Sequence, residues 1–353
     1  MIQLHLTRHA ACLALALVPF LAVTQDAPKP AAAAAPTMKA ARIHAYGDFS
    51  KLVLEDAPRP TAKDDQLLVR VYAAGVNPVD DKIREGKFAG GAALANPLVL
   101  GFDVSGVVEA VGDKVTRFKV GDPVFAYLDL QRGGGYAEYA IVREREAAAK
   151  PAKLTFDEAA AVPLAALTAW QALVDTAKLD KGQSVLIHAG SGGVGSFAIQ
   201  IAKSRGAKVY ATSSAANLEF LGQLGADEAI DYKSQRFEDV AKEVDAVLDP
   251  IGGETQQRSF SVLKKGGILV SIVKQPDAKL VAEKGVRGTV LLVHASATEL
   301  EAIAKLIDAG DLKPCVTKTL PLAEAARAHE LIHTGHTRGK IVLHVRDEPA
   351  RAK

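Results

Sequence analysis

The sequence predicts an α/β protein built from a barrel-like β domain with a doubly wound parallel-sheet domain inserted into it. Three observations carry this prediction. Short apolar segments punctuated by Gly, Pro and Asp run from Met38 to Val142, the pattern of a small barrel. Between Pro163 and Gly310, strand-like and helix-like segments alternate, as in repeated βαβ units. The last stretch, "VTKTLPLAEAARAHELIHTGHTRGKIVLHV", returns to a strand, a helix and a strand. The barrel domain is therefore expected at 38–162 and 311–347, the inserted domain at 163–310, and a loose polar tail at 348–353. A chain of 353 residues is long enough for about two such domains.

Residues 1–37 differ from the rest. Arg8 and His9 precede the apolar run "AACLALALVPFLAV", which is too short to span a membrane comfortably and suits the core of a signal peptide over 1–25. The Ala/Pro stretch that follows, 26–37, reads as a linker. The expectation is an exported protein of the periplasm or cell envelope, with no stable membrane insertion once the leader is removed. The alternative is a cytoplasmic protein that starts at Met38, where "MKAARIHAYG" reads as a natural first strand.

In the barrel part, "KAARIHAY", "KLVLEDAP", "QLLVRVYAAGV", "DVSGVVEAVG", "DPVFAYL" and "GYAEYAIV" read as strands. Near Pro163 the character changes to the alanine-rich, helically spaced "TFDEAAAVPLAALTAWQALVDTA", with Thr155 and Glu158 placed as a capping box at its start. The strands "SVLIHA", "KVYATS", "EAIDY", "AVLDPIG", "GILVSIV" and "GTVLLVHA" then alternate with helices, ending at "ATELEAIAKLIDAG".

The first of these strands leads into the most informative segment, "SVLIHAGSGGVGSFAIQIAK". Glycine costs backbone entropy, so four in six positions (Gly190, Gly192, Gly193, Gly195) require a reason. Gly190, Gly192 and Gly195 hold the G-x-G-x-x-G spacing, after a buried strand and before an apolar helix. In such a unit the first glycine permits a tight turn, the second admits a pyrophosphate to the backbone, and the third lets the helix pack on the strand. Ser191 and Val194 complete the turn, where free N–H groups and the positive end of the helix dipole hold an anion without side-chain charge. A P-loop is excluded, because Ser196 and Phe197 stand where Lys and Ser/Thr are needed.

Composition narrows the remaining classes. Net charge is +2 with charges interspersed and no basic stripe bearing aromatics, which opposes a nucleic-acid partner. Two cysteines, Cys12 and Cys315, exclude a disulfide framework and a four-cysteine zinc lobe.

Several motifs in fixed order, "AAGVNPVDDKIREG", "GFDVSGVVEAVGDKVTRFKVGDPVFA", "GGYAEYAIV", "AAAVPLAALTAWQAL", "HAGSGGVGSFAIQIAKSRGAKV", "LGADEAIDY" and "RGKIVL", resemble the medium-chain dehydrogenase/reductase superfamily and its zinc-independent quinone oxidoreductase branch. The likeness runs from Met38 to about Val345. It implies a GroES-like β-barrel domain, a Rossmann domain, an active site between them, a small-molecule substrate and a homodimer through the Rossmann edge.

Zinc-dependent members place a Cys, a "GHE" His and a further ligand around the metal. Here Asn77 and Phe102 stand at the first two places and "PLAALTAW" offers only apolar atoms, so no zinc is expected. At the end of the second Rossmann strand, Ser213 stands where NAD enzymes carry a carboxylate, which favours NADPH over NADH. In related reductases a lysine and a tyrosine hold the 2′-phosphate. Tyr232 matches the tyrosine but Asn217 replaces the lysine, with Lys233 or Arg236 as possible compensation.

The resemblance places Asn77 and Asp80 at the nicotinamide end of the cleft and Thr168 near the carboxamide or phosphate. Tyr127 is a candidate donor to the substrate oxygen, and Asp249, Ser271 and Lys340 are further cofactor contacts. Each also has a plain structural reading: a turn at Asn77-Pro78, a helix cap at Asp80, packing for Tyr127, a solvated strand flank for Lys340. The expected chemistry is hydride transfer from NADPH to a quinone or an α,β-unsaturated carbonyl, acceptors that need little Lewis-acid help. The alternatives are a zinc-type alcohol dehydrogenase relative and a dinucleotide-binding protein of low turnover.

Overall fold

The computed structural model describes residues 36–94 and 96–348. The leader and all but the last two residues of the linker fall outside the described residues, as does most of the tail.

The barrel part begins with β1 (Thr37–Ile43), β2 (Val53–Pro58), β3 (Gln66–Val76), helix α1 (Pro78–Arg84), β4 (Leu98–Val99), β5 (Asp103–Val111), β6 (Pro123–Tyr127), β7 (Tyr139–Arg143) and β8 (Ala147–Ala149). Strand β1 pairs antiparallel with β2 and β4 in a small sheet. The long strand β3 is the hub of the larger sheet, pairing antiparallel with β5 and β7. Its burial on nearly every residue, from Leu67 to Val76, explains the almost continuous apolar run "LLVRVYAAGV".

The alanine-rich segment is not one helix. It divides into α2 (Phe156–Ala160), α3 (Pro163–Trp170) and a π-turn over Gln171–Thr176. Pro163 takes the first-turn position of α3, where its missing N–H costs nothing, and cannot continue α2 through itself. The capping box forms as expected: Glu158 N–H donates to Thr155 Oγ1 (3.2 Å) and Thr155 N–H to Glu158 Oε2 (2.9 Å).

The inserted part contains β9 (Ser184–Ile187), α4 (Gly193–Ser204), β10 (Lys208–Ser213), α5 (Leu218–Gln223), β11 (Glu228–Asp231), α6 (Phe237–Val240), β12 (Val244–Asp249), α7 (Gly253–Ser259), β13 (Leu263–Ser271), α8 (Ala278–Lys284), β14 (Arg287–Val290) and α9 (Ala297–Ala309). All strand pairs are parallel in the order β11-β10-β9-β12-β13-β14. That is the 3-2-1-4-5-6 order of a dinucleotide-binding sheet, and the crevice at its switch point lies beyond the carboxyl ends of β9 and β12. Both faces are covered, Val185, Ile187 and Val209 packing in one apolar cluster and Leu186, Tyr210 and Val247 in another. The segment "GTVLLVHA" is shorter as a strand than its composition suggests. β14 stops at Val290 on the sheet edge, and Leu292 beyond it is 79% exposed.

The chain then returns to the barrel through β15 (Val316–Pro321), α10 (Ala325–His333) and β16 (Lys340–His344). Strand β16 inserts between β15 and β3, parallel to the first and antiparallel to the second. This insertion carries Lys340 to the end of β3, next to Asn77.

Candidate active site

The turn between β9 and α4 is shaped by absent side chains. A Cβ at Gly195 would lie 2.3 Å from the Ala189 carbonyl oxygen, and one at Gly190 would lie 3.0 Å from both Ala211 Cβ and Leu221 Cδ2. These glycines let α4 and the β10–α5 unit close on β9. The left-handed residue of the turn is not a glycine, however. Ala189 has φ +48°, while Gly190, Gly192, Gly193 and Gly195 all keep ordinary negative-side geometry. Gly190 serves the turn by its missing side chain and not by a positive φ, and Ala189 stores strain of about 1 kcal/mol. Gly192 caps α4 with an extended backbone. The N–H groups of Gly193, Val194 and Gly195 occupy the first turn, where a helix has no internal acceptors, at the positive end of a twelve-residue helix. That fits a diphosphate.

Two further contacts tie this turn to its surroundings. The Ser191 and Ser213 hydroxyls are 2.7 Å apart, linking the turn to the end of β10. Gly339 N–H donates to the Ser191 carbonyl (2.8 Å), and Lys340 Cδ would lie 2.9 Å from a Cβ on Gly193. The barrel domain thus reaches the glycine turn through the start of β16.

Behind the turn lies a buried polar cluster. Asn77, Asp80, Asp103 and Lys340 each expose 3% or less. Lys340 Nζ donates to the Val76 carbonyl (3.1 Å) and to Asn77 Oδ1, and sits 3.4 Å from Asp103 Oδ2. Asn77 Nδ2 donates to the same Asp103 oxygen (2.9 Å), and Asp103 Oδ1 accepts from Leu164 N–H (2.8 Å). Asp80 Oδ2 accepts from Asn77 N–H (2.6 Å) and from the Tyr136 hydroxyl (2.8 Å). Its Oδ1 has no partner.

Two carboxylates and one ammonium in a dry site would leave an unbalanced charge. Burial pushes the Asp80 carboxyl up to about 7, with hydrogen bonds from Tyr136 and Asn77 pulling the other way. Burial also raises Asp103, opposed chiefly by the charge of Lys340. With a proton on Asp80, Lys340 and Asp103 neutralise each other. Lys340 is accordingly not a solvated lysine on a strand flank. Asp103 and Tyr136, which the sequence did not single out, are integral to the cluster. The only signal was Asp103's place in "GFD", beside a glycine: a Cβ on Gly101 would lie 2.3 Å from Tyr136 Cδ1.

Tyr127 ends β6 and pairs with Asp103 in register. It is 2% exposed, and its hydroxyl makes no hydrogen bond among the described residues. Burial, then the charges of Asp103 and Asp80, hold its phenol far above the usual tyrosine range. It is a proton-bearing group that cannot act as a base.

The remaining predicted residues separate into two groups. Tyr232 is 52% exposed, its N–H donating to the Ser213 carbonyl (3.1 Å), so it stands with Ser213 at one strand end. Asn217 Nδ2 donates to Ser214 Oγ (3.2 Å) in the same loop. Thr168, Asp249 and Ser271 differ. Thr168 Oγ1 is turned back on the Leu164 carbonyl (2.7 Å). Asp249 Oδ1 accepts from Ile251 and Gly252 N–H, and Oδ2 from Gln256 Nε2 and Ser271 Oγ. Asp249 and Ser271, expected among the cofactor contacts, are fully buried, and their side chains hold the ends of β12 and β13 together. His188, at the end of β9, is a packed histidine. It bonds Thr212 Oγ1 (3.1 Å) and Ser259 Oγ (2.9 Å), and burial pushes it down to about 4.

The donor set at Asn77 and Phe102 does not fit zinc. Phe102 has no lone pair, the Asn77 amide oxygen accepts from Lys340, and an ammonium already occupies the cation position beside Asp103. Among the described residues, metal-type donors gather elsewhere, at Asp81, Glu85 and His333, with ligand atoms within 4.8 Å of one another. There the Arg84 guanidinium, 2.6 Å from Asp81 Oδ1, supplies the positive charge.

Known proteins resemble this chain in sequence and fold. Residues 63–152 match the family of alcohol dehydrogenase GroES-like domains, and 224–343 match that of zinc-binding dehydrogenases. The chain is 38% identical over 323 residues to the 2-methylene-furan-3-one reductase of Solanum lycopersicum, covering 87% of this chain and 79% of that protein. It is 38% identical over 320 residues to the chloroplastic NADPH-dependent alkenal/one oxidoreductase of Arabidopsis thaliana, with the same coverage of 87% and 79%. The solved quinone oxidoreductase of Coxiella burnetii superposes with a TM-score of 0.81 at 37% identity, covering 88% of this chain and all of that one. With the six-stranded parallel sheet, the glycine turn and the barrel domain that meets it, these likenesses establish the chain as an oxidoreductase of the medium-chain dehydrogenase/reductase superfamily, in its quinone oxidoreductase branch.

Proposed function

We propose that the protein is a zinc-independent, NADPH-dependent reductase of conjugated carbonyl compounds, quinones or α,β-unsaturated ketones and aldehydes. The observation that carries this reading is the Lys340–Asn77–Asp103 cluster. It puts a fixed ammonium and hydrogen-bond donors next to the phosphate turn, where zinc-dependent relatives need metal ligands. The substrates named for the tomato and Arabidopsis relatives, and for the Coxiella structure, support the substrate class.

Within this reading the chain's residues have definable tasks. Gly193, Val194 and Gly195 hold the diphosphate on backbone N–H groups. Bound NADPH supplies the hydride to the conjugated carbon of the acceptor. Reduction leaves negative charge on the acceptor's oxygen, which a hydrogen-bond donor that keeps its own proton stabilises. Tyr127 is such a donor, because burial above all opposes formation of its phenolate. Asp103 and Asn77 fix Lys340 behind the turn.

NADPH is preferred to NADH because Ser213 replaces the ribose-binding carboxylate and Tyr232 stands beside it. A homodimer is supported by the uncovered edge at β14, with Val290 42% and Leu292 79% exposed. The deciding experiment is consumption of NADPH with a panel of quinones, enones and simple alcohols or ketones, with and without chelator, alongside metal analysis of the purified protein. Turnover of quinones or enones that chelator leaves intact is expected. Stoichiometric zinc with chelator-sensitive alcohol oxidation would refute the reading, as would nucleotide binding without turnover on any acceptor.

A further inference from the structure

The loop after β10 lacks the lysine that reductases of this type place at position 217. The two replacements suggested by the sequence each have a neighbour of their own. Arg236 Nη2 is drawn to Glu238 Oε1 (3.8 Å), and Lys233 Nζ lies 5.9 Å from the centre of the neighbouring Tyr232 ring.

A third cation comes from the other domain. Arg338 precedes Gly339, the residue that bridges to Gly192 and donates its N–H to Ser191. Its guanidinium lies over the Phe220 ring, 4.0 Å from the centroid. Phe220 is in the first turn of α5, three residues after Asn217 and so on the same helix face. Arg338 is thereby fixed at two points. Its backbone is tethered to Ser191, whose hydroxyl touches Ser213, and its charged end rests on the helix that Asn217 begins. No carboxylate lies within ion-pair distance of it among the described residues. Its other neighbour is the Cys315 thiol, whose burial-raised pKa is partly offset by the arginine's charge and hydrogen bond. Stacking on an aromatic face restrains a guanidinium while leaving its N–H rim free, the geometry that suits a phosphate.

We propose that Arg338, carried in by β16 from the barrel domain, supplies the positive charge that holds the adenosine 2′-phosphate in place of the lysine missing at position 217. This rests on the NADPH reading above and makes the preference for NADPH a property of the interface between domains. Asp231, the register partner of Ser213 at the end of β11, is an anion that Arg338 has to outweigh. Its carboxylate is turned onto Ser234 Oγ (2.6 Å) and the Lys233 N–H (3.2 Å).

The test is calorimetric titration of the whole protein with adenosine 2′,5′-bisphosphate and with 5′-AMP, which differ only in the 2′-phosphate. The wild type is compared with Arg338→Gln, and with Arg338→Gln carrying Asn217→Lys. Arg338 is exposed, so its replacement leaves the core intact. Arg338→Gln is expected to weaken binding of the bisphosphate by about tenfold to a hundredfold, the range for a charge-assisted bond. Binding of 5′-AMP is expected to be unchanged, and Asn217→Lys to restore the lost preference. If the wild type prefers the bisphosphate and Arg338→Gln keeps that preference, the arginine inference is overturned while the NADPH reading stands. Equal weakening of both ligands also overturns it, by placing Arg338 on the diphosphate instead. A wild type with no preference overturns both.

Discussion

Replacing Asp80 by asparagine should alter how stability depends on pH more than stability itself. The carboxyl is sealed from solvent, and burial moves its proton affinity from the ordinary 3.8 to about 7. Unfolding returns it to the ordinary value. Below pH 4 both states carry the proton and the group contributes no pH dependence. Between pH 4 and 7 the unfolded chain releases the proton while the folded chain keeps it, so stability falls as pH rises. Above 7 both are ionised and the loss is complete. A shift of about three units corresponds to about 4 kcal/mol. Asparagine keeps an oxygen for the Asn77 N–H and the Tyr136 hydroxyl, but places an amide where Asp80 Oδ1 has no partner. That adds a pH-independent cost of about 1–3 kcal/mol. Urea unfolding of both proteins from pH 4 to pH 8.5, followed by circular dichroism and the fluorescence of Trp170, reads the difference directly. The wild type should be the more stable at the acidic end and lose that advantage, by up to about 4 kcal/mol, towards the alkaline end. Midpoints that run parallel in the two proteins across this range would refute the argument that Asp80 holds a proton at neutrality.

Further outcomes follow from the same geometry. Tyr127→Phe should lower kcat by about tenfold to a hundredfold and leave nucleotide affinity unchanged, as read by steady-state kinetics and titration with the oxidised cofactor. A loss confined to KM would argue instead that Tyr127 only packs. Gly195→Ala would force a Cβ to within 2.3 Å of the Ala189 carbonyl oxygen, so helix α4 must shift. Nucleotide binding should be lost, with destabilisation of about 1–3 kcal/mol, and wild-type affinity in this variant would contradict the close approach described here. Leu292→Asp, at an edge where that side chain is 79% exposed, should convert a dimer to monomers in light scattering. A wild type that is already monomeric at micromolar concentration would remove the edge as an interface.

Much of this architecture was legible because it is local. The glycine spacing before an apolar helix located the turn between β9 and α4, alternating strand and helix segments gave the parallel sheet, and Thr155 with Glu158 announced the start of α2. Ser213 and Tyr232 were also found together, since neighbouring parallel strands end side by side. What was not legible depends on distant partners. Asp103 and Lys340 are 237 positions apart, and Asp80 and Tyr136 are 56 apart. No periodicity marks such pairs, and they meet only when β16 enters beside β3. Asp249 and Ser271 were correctly seen at strand ends, but their side chains bond to each other across those ends. Ala189 was unreadable for another reason: its positive φ is imposed by the strand and helix on either side, against the preference of an alanine.

The order of residues along the chain gives this centre a direction in time. A ribosome lays down Asn77, Asp80 and Asp103 before the glycine turn, whereas Lys340 follows Asp103 only after 237 positions. Until it arrives, Asp103 has no buried counter-charge and β3 has an unpaired edge. Polypeptides cut short before Lys340 therefore lack the finished polar cluster, and truncation at that point should dismantle it at one stroke.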